Sequence, residues 1–455
     1  MQEDRTKQTT DVLVLGGGIA GLQAAVDLAD RDLNVLVVER DTSIGGRMIA
    51  LSKVFPTLDC ASCITTPKMA EAAHHDNIEI ITYAELELVE KDGQGGFICN
   101  IQRKPRYVDE KDCIGCRLCE YECPVLLPND FEGDEGARKA IYIPHSNAYP
   151  QCAVLDLENC IYCGKCIKAC PTDAVRFDQK PDNIKVHAGA VVLATGYSLT
   201  PLQSVSRYGT TKIDNVIDPL LMERMLAPHG PYGKMVRPSD GRIPDSIAYV
   251  QCVGSRDATM GVPYCSRVCC MYAIKQAILV SGALPLVDVT IYYIDIRAFG
   301  KGFETFYQEA KAMGIQFVAG KVASITEDED HNPIVRVEHK EEDGGKVFND
   351  THDLVVMSQG LVPTYHHEGK IPVEENDYGF IKVPSDKVEP TASTQKGIFV
   401  AGTAAGPKDI VDSIVEAGAA AAQASAYLED TGWIQNRRGQ GASPQPATAA
   451  STEVG

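Results

Sequence analysis

The sequence predicts an α/β fold: two dinucleotide-type units of mostly parallel sheet, with a small cysteine-rich α+β insertion. Three observations carry that reading. A strand, a glycine turn, a helix and a second strand follow one another between Asp11 and Glu39. A second strand-then-helix pattern starts at Asp245. Between them lie two matching cysteine runs, Cys113-Ile-Gly-Cys116-Arg-Leu-Cys119-x₃-Cys123-Pro124 and Cys160-Ile-Tyr-Cys163-Gly-Lys-Cys166-x₃-Cys170-Pro171. A chain of 455 residues is long enough to build two or three cores of this kind.

In the first unit, Asp11-Val-Leu-Val-Leu15 reads as a buried strand, apolar and β-branched. It ends at Gly16-Gly-Gly18-Ile-Ala20-Gly21, a helix is predicted from about Ile19 to Arg31, and Asn34–Val38 forms the next strand before Glu39. This is a complete dinucleotide fingerprint. Gly16 permits the tight turn, Gly18 lets the backbone approach a pyrophosphate, and Gly21 lets helix and strand pack closely. The helix N-terminus then offers free N–H groups to the phosphates, and Glu39, followed by Arg40, is placed to accept from a ribose. Gly45-Gly46-Arg47 is a second glycine turn of the kind flavoproteins use after that acid. Ala190–Leu193 leads into Ala194-Thr195-Gly196, and Gly397-Ile-Phe-Val-Ala leads into Gly402-Thr403. Alone, each of these could be a core strand ending in a turn. Their order after the fingerprint favours FAD. Thr403 stands where most such proteins carry an Asp that meets the ribityl chain.

The paired CxxCxxCxxxCP runs have the spacing of a two-cluster [4Fe–4S] ferredoxin, in which the fourth cysteine of each run serves the other cluster. On that pattern Cys113, Cys116, Cys119 and Cys170 hold one cluster, and Cys160, Cys163, Cys166 and Cys123 the other. Structural zinc also uses CxxC pairs, but does not call for two complete runs each closed by proline.

The second unit lacks a second GxGxxG. Ser246–Val250 is predicted as a strand and about 266–281 as a helix, and the junction holds Gln251-Cys252 and Tyr264-Cys265-Ser-Arg-Val-Cys269-Cys270. The spacing suits a third [4Fe–4S] cluster, with Cys265 and Cys269 on one helical face and Cys270 turned toward Cys252. Small buried thiols near a helix start are the alternative. A chain built this way does not bind NAD(P)H itself. Lys275, on the same helix, either points toward the flavin, where it would stabilise added negative charge, or is a solvated helix lysine. The CxxC at Cys60 and Cys63 could be a redox pair, half a metal site, or two ordinary thiols.

Domain boundaries follow. The flavin unit comprises 10–103, 184–240 and 351–432, the ferredoxin insert 104–183, and the cysteine-bearing nicotinamide-type unit 241–350. Residues 200–244 read as crossing loops, Asp353–Met357 as the return to the flavin unit, and 433–455 as a disordered tail. The formal charge of −19 argues against nucleic acid or an anionic membrane as partner. No apolar run reaches the ~18 residues of a membrane span. The polar N-terminus lacks a signal-peptide core, so the 16 cysteines point to metal ligands in a reducing cytoplasm.

Together these motifs resemble the A-type subunits of heterodisulfide reductase. The resemblance rests on the fingerprint, Phe55-Pro-Thr-Leu-Asp-Cys60-x-x-Cys63, Lys104-Pro-Arg-Tyr-Val-Asp, both cysteine runs, Ala194-Thr-Gly-Tyr197, Gln251-Cys-Val-Gly-Ser-Arg-Asp257, Tyr264 through Lys275, and Asp295-Ile-Arg-Ala-Phe-Gly-Lys301. It covers about residues 10–430. It implies a thioredoxin-reductase-like flavin core, a cluster on Cys252, Cys265, Cys269 and Cys270 near the flavin, and Lys275 as a flavin neighbour. It also implies electron bifurcation or confurcation between a two-electron donor, a disulfide-type acceptor and ferredoxin. The implied partners are B- and C-like subunits, ferredoxin, and an input subunit linked to a hydrogenase or dehydrogenase, around a homodimer. Long family members have further N- and C-terminal iron–sulfur domains, so Cys60 and Cys63 would either share a cluster with a partner or bind nothing. Two alternatives stand: an electron-delivery subunit of another reductase, such as a benzoyl-CoA reductase or sulfur-pathway complex, and a stand-alone flavin disulfide reductase using Cys60 and Cys63.

Overall fold

The structure is a computed structural model that describes residues 5–339, 346–365, 367 and 369–439. The fingerprint strand, Arg5–Leu15, lies at the centre of a seven-stranded sheet. It runs parallel to Val35–Val38 on one side and to Asp182–Leu193 on the other. Val12, Leu13 and Val14 are fully buried because both faces are covered. Helix Ile19–Ala29 and the long helix Ile410–Asp430 pack together on one face. The fully buried Ala417, Ala420, Ala421 and Ala424 let them approach closely. Ile398–Val400 joins the sheet beside Asp182–Leu193.

The insertion leaves and re-enters this sheet through an antiparallel stem. Phe97–Arg103 pairs with Asp182–Leu193, with Arg103 opposite Asp182. Between the two strands the chain forms a compact lobe with two short helices, Leu118–Glu122 and Lys165–Ala169. An isolated bridge between Val108 and Val175 ties its halves together.

The second seven-stranded sheet has the order Val216–Ile217, Leu354–Gln359, Ser246–Val253, Asp288–Tyr293, Gln316–Glu327, Pro333–His339, Val347–Thr351. Its first five strands are parallel and the last two form an antiparallel edge. Two antiparallel connections, Tyr197–Leu199 and Leu361–Pro363, join this unit to the flavin unit.

Four expectations need correction. Leu354–Gln359 does not return to the flavin unit: it is a wholly buried central strand of the second sheet, between Val216–Ile217 and Ser246–Val253. The stretch read as crossing loops contributes the strand Val216–Ile217 and the helix Pro219–Leu226 to that same unit. The Asp218 carboxylate caps this helix by accepting from the N–H groups of Leu220 and Leu221, and proline stands at its start. The cysteine-bearing helix begins at Cys269, not Ser266, because Arg267 takes a left-handed φ of 61°. Finally, Trp433–Gly439 is helical rather than disordered. The Trp433 indole donates to Asp11 Oδ1 at 3.0 Å, and Arg437 pairs with the same buried carboxylate. Residues 440–455 of the expected tail lie outside the described residues.

Candidate functional site

A cavity of about 960 Å³ opens where the glycine turn, the second unit and the insert meet. Gly16, Gly18, Ala20, Glu39, Arg40, Gly46, Arg47, Ala194, Thr195, Gly196 and Thr403 all line it. Gly21, Gly45 and Gly402 stand behind it and serve packing. A Cβ on Gly21 would lie 1.8 Å from the Gly16 carbonyl oxygen, so the helix seats against the turn only without a side chain. Gly402, at φ +66°, has Ala20 Cβ 2.8 Å from where its own Cβ would be. Glu39 is buried and accepts from Gly17 N at 2.6 Å and Asp41 N at 2.8 Å. Burial, reinforced by the Asp41 charge, pushes its carboxyl up to about 7. The glycine cradle, the acid at its end and the size of the cavity fit a dinucleotide such as FAD.

Lys275 is not a solvated lysine. It is 2% exposed and lines the cavity, and its ammonium donates to the Lys53 carbonyl at 2.8 Å and pairs with Glu223. The Glu223 carboxylate also accepts from Gln276 Nε2, from Ser52 N at 3.0 Å and from Ser52 Oγ at 2.7 Å. A buried charge thus meets a fully hydrogen-bonded counter-ion. Sequence reasoning misses Glu223 and Gln276. A signal exists, since Asp218-Pro219 followed by an apolar run is a helix start. Arg224, next to Glu223, makes a two-point pair with Glu132 of the insert at 2.9 and 3.0 Å, and its guanidinium lies 4.6 Å from the Phe131 ring centroid. Phe131, His145, Arg138 and Tyr142 of the insert form one wall of the cavity.

Cys252 lies next to the end of the strand Ser246–Val253 at φ +60°, and Cys269 and Cys270 open the helix Cys269–Ala283. Cys265 lies in the loop before that helix, so it shares no helical face with Cys269. The structure nonetheless gathers all four. Burial pushes the Cys269 thiol well above its usual range, and the neighbouring Cys270, Cys252 and Cys265 push it further. Cys270 is held up to about 12, chiefly by burial. Cys252, Cys269 and Cys270, all raised chiefly by burial, ionise together only against a compensating cation, the role that cluster iron would fill. Arg256 lies 3.9 Å from Cys252 Sγ and pairs with Asp295, whose carbonyl is 3.8 Å from Cys270 Sγ. The same helix turns Tyr272, Lys275 and Gln276 into the cavity, and Tyr272 lies within electrostatic reach of Cys269 and Cys270.

In the insert, Cys113, Cys116, Cys119 and Cys170 line one small cavity, so the last cysteine of the second run joins the first three of the first. Cys166 reciprocally lies within electrostatic reach of Cys160 and of Cys123, the last cysteine of the first run. Cys163 is exposed at the surface. These sets of thiols are the donors that [4Fe–4S] clusters use. Cys152 is buried with its thiol against the Cys113 sulfur, which that contact draws down to about 5. Cys99 is fully buried in the flavin-unit core, where burial pushes its thiol up to about 12.

Cys60 caps helix Ala61–His74, its sulfur accepting from Cys63 N at 3.3 Å. The Cys63 thiol beside it draws the Cys60 thiol below its usual range. Among the described residues, no group of three or more His, Cys, Asp or Glu is placed to hold a single metal ion.

Residues 11–62 match a family described as FAD dependent oxidoreductase, and residues 153–176 a 4Fe-4S binding domain. The chain is 45% identical over 421 residues to the A-type subunit of H(2):CoB-CoM heterodisulfide,ferredoxin reductase of Methanothermobacter marburgensis, covering 91% of this chain and 63% of that one. It is 46% identical to the A-type iron-sulfur subunit of CoB--CoM heterodisulfide reductase of Methanocaldococcus jannaschii, over 91% of this chain and 63% of that one. The chain therefore spans less than two thirds of the length of these relatives. Among solved structures, thioredoxin reductase of T. acidophilum aligns with a TM-score of 0.54 at 15% identity, over 93% of this chain and 99% of that one. Thioredoxin reductase of Lactococcus lactis aligns with a TM-score of 0.52 at 14% identity, over 92% and 99%. These structural likenesses fix the fold, a thioredoxin-reductase-like pair of units.

Proposed function

Because this chain belongs to the family of heterodisulfide reductase A-type subunits, we propose that it is the FAD and iron–sulfur electron-transfer subunit of a heterodisulfide-reductase-like oxidoreductase complex. One observation carries the reading. A single helix, Cys269–Ala283, begins at a four-cysteine site and places Tyr272, Lys275 and Gln276 in the wall of the dinucleotide cavity. The ferredoxin-like insert forms another part of the wall. Electrons thus have two protein-built approaches to one cavity.

Bound FAD would supply two-electron chemistry and the clusters one-electron relay, which together permit bifurcation between a two-electron donor, a disulfide-type acceptor and ferredoxin. The residues of the chain do the rest. Gly16, Gly18 and the helix start at Ile19 receive the pyrophosphate, and Glu39 accepts from the ribose. Lys275 sets a fixed ammonium in the cavity wall, and Glu223, Gln276 and Ser52 hold it in one rotamer. Cys113, Cys116, Cys119 and Cys170, then Cys160, Cys163, Cys166 and Cys123, and finally Cys252, Cys265, Cys269 and Cys270 are the ligands of three clusters. Cys60 and Cys63 form half of a further site completed by a partner subunit. The partners are B- and C-like subunits, an electron-input subunit linked to a hydrogenase or dehydrogenase, and ferredoxin. None of the described helices is long and apolar enough to cross a membrane.

Anaerobic stopped-flow mixing tests this. Chemically reduced ferredoxin should bleach the flavin of the purified chain, whereas NADH and NADPH should not. Rapid bleaching by NADH with ferredoxin inert would overturn the proposal and favour a stand-alone flavin reductase.

A further inference from the structure

The segment Lys104-Pro-Arg106-Tyr-Val-Asp joins the flavin-unit sheet to the insert, and it supplies neither a cysteine nor a part of the glycine cradle. Arg106 is 3% exposed, although it carries a guanidinium. Its Nη2 donates to the Thr42 carbonyl at 2.6 Å and to the Thr82 hydroxyl, both in loops of the flavin unit beside Glu39. Its Nε lies 2.5 Å from Glu110 Oε1 of the insert, an ion pair without the alignment of a hydrogen bond. Its carbonyl accepts from Leu155 N at 2.9 Å, deeper in the insert. The same residue therefore grips both bodies, and among the described residues its Nη1 has no hydrogen-bond partner.

The charge balance around it is uneven. Arg103 also pairs with Glu110, at 2.6 Å, so two guanidiniums share one carboxylate and the group carries a net positive charge. That charge lies within electrostatic reach of Cys152 and of Cys113, against whose sulfur the Cys152 thiol packs. A single hydrogen-bonded turn carries the chain from Glu110 to Cys113, whose N–H donates to the Asp109 carbonyl at 2.9 Å.

We propose that Arg106 is a positioning residue for electron transfer: it clamps the insert onto the flavin unit and holds a buried positive charge beside the Cys113 cluster, raising that cluster's reduction potential. The physics is a fixed charge in a poorly solvated region. A [4Fe–4S] centre gains one negative charge on reduction, so a nearby cation favours the reduced form and a nearby anion opposes it. Glu110 acts in the opposite sense to Arg106. The inference rests on Cys113 serving as a cluster ligand.

Redox titration of the reconstituted full chain, followed by electron paramagnetic resonance, tests it with Arg106→Met, Arg106→Lys, Glu110→Gln and Cys113→Ser. Arg106→Met should move one cluster to lower potential, leaving the others in place, and Arg106→Lys should restore most of the shift. Glu110→Gln should move the same cluster upward, and Cys113→Ser should remove or alter that signal. Shifts of one sign in Arg106→Met and Glu110→Gln, or none in either, would overturn the role of Arg106 even if Cys113→Ser removes a signal. No altered signal in Cys113→Ser would overturn the ligand assignment and this inference with it. If Arg106→Met does not fold, the sign of the Glu110→Gln shift decides.

Discussion

The two parallel sheets pose the same structural question and answer it with different residues. In each, a central buried strand runs into a turn and then into a helix that packs back on the sheet, the place where such folds bind a dinucleotide. In the flavin unit the turn is glycine, and Gly16 and Gly21 let the backbone close tightly around a phosphate site. In the second unit Cys252 stands in the last residues of the strand and the helix starts at Cys269 and Cys270, with Cys265 in the loop between them. Backbone N–H groups in the first are replaced by thiols in the second. The topology is shared, and the turn residues decide what can be held.

If the two turns are independent, each cofactor can be lost without the other. Gly21→Val should abolish flavin binding while leaving the irons in place, because any Cβ there collides with the Gly16 carbonyl. Cys269→Ala should keep the flavin and lose about four irons per chain. If either variant lost both cofactors with its fold intact by circular dichroism, the two sites would not be independent.

A smaller effect concerns the helix that links the sites. Lys275→Met leaves the Glu223 carboxylate buried without its counter-ion, which should cost about 3–5 kcal/mol of stability in thermal or denaturant unfolding. The double variant Lys275→Met/Glu223→Gln should recover most of that loss, as coupled neighbours do. The flavin of the single Lys275→Met variant should titrate at a lower potential than in the native chain, since the ammonium is gone while the Glu223 charge remains.

Smaller still is a pH effect at the end of the first fingerprint. Burial raises Glu39 from its ordinary value to about 7 in the flavin-free protein. A carboxyl raised on folding adds stability that is fully present below the unfolded value of about 4.5 and is lost as pH rises through about 7. Apo-protein stability should therefore fall between about pH 4.5 and pH 7, and Glu39→Gln should flatten that slope. Flavin affinity should strengthen over the upper part of this range as the acceptor ionises. No matching slope is expected from the second unit, where the turn carries thiols.

Legibility in the sequence depends on how local the signal is. The fingerprint and the two cysteine runs are fixed spacings, and their chemistry can be read without the fold. The third cysteine group is visible from its position after a strand, but its geometry is not, because the left-handed backbone at Arg267 delays the helix. Glu223 escapes because its partner, Lys275, is 52 residues away in sequence and only the packing of two helices joins them. The placement of Leu354–Gln359 is hidden for a similar reason: a fully buried parallel strand shows no alternation to say which sheet it belongs to. Trp433 resembles the start of a polar tail because its anchor, Asp11, lies at the other end of the chain.

If one dinucleotide cradle and three cysteine quartets belong to this chain, its cofactor stoichiometry is fixed. Iron, acid-labile sulfide and flavin content of the purified, anaerobically reconstituted protein measure it. One FAD with about 12 irons is the expected result. About 8 irons would contradict the site at Cys252, Cys265, Cys269 and Cys270, and with it the cluster that the second sheet would hold in place of a nucleotide.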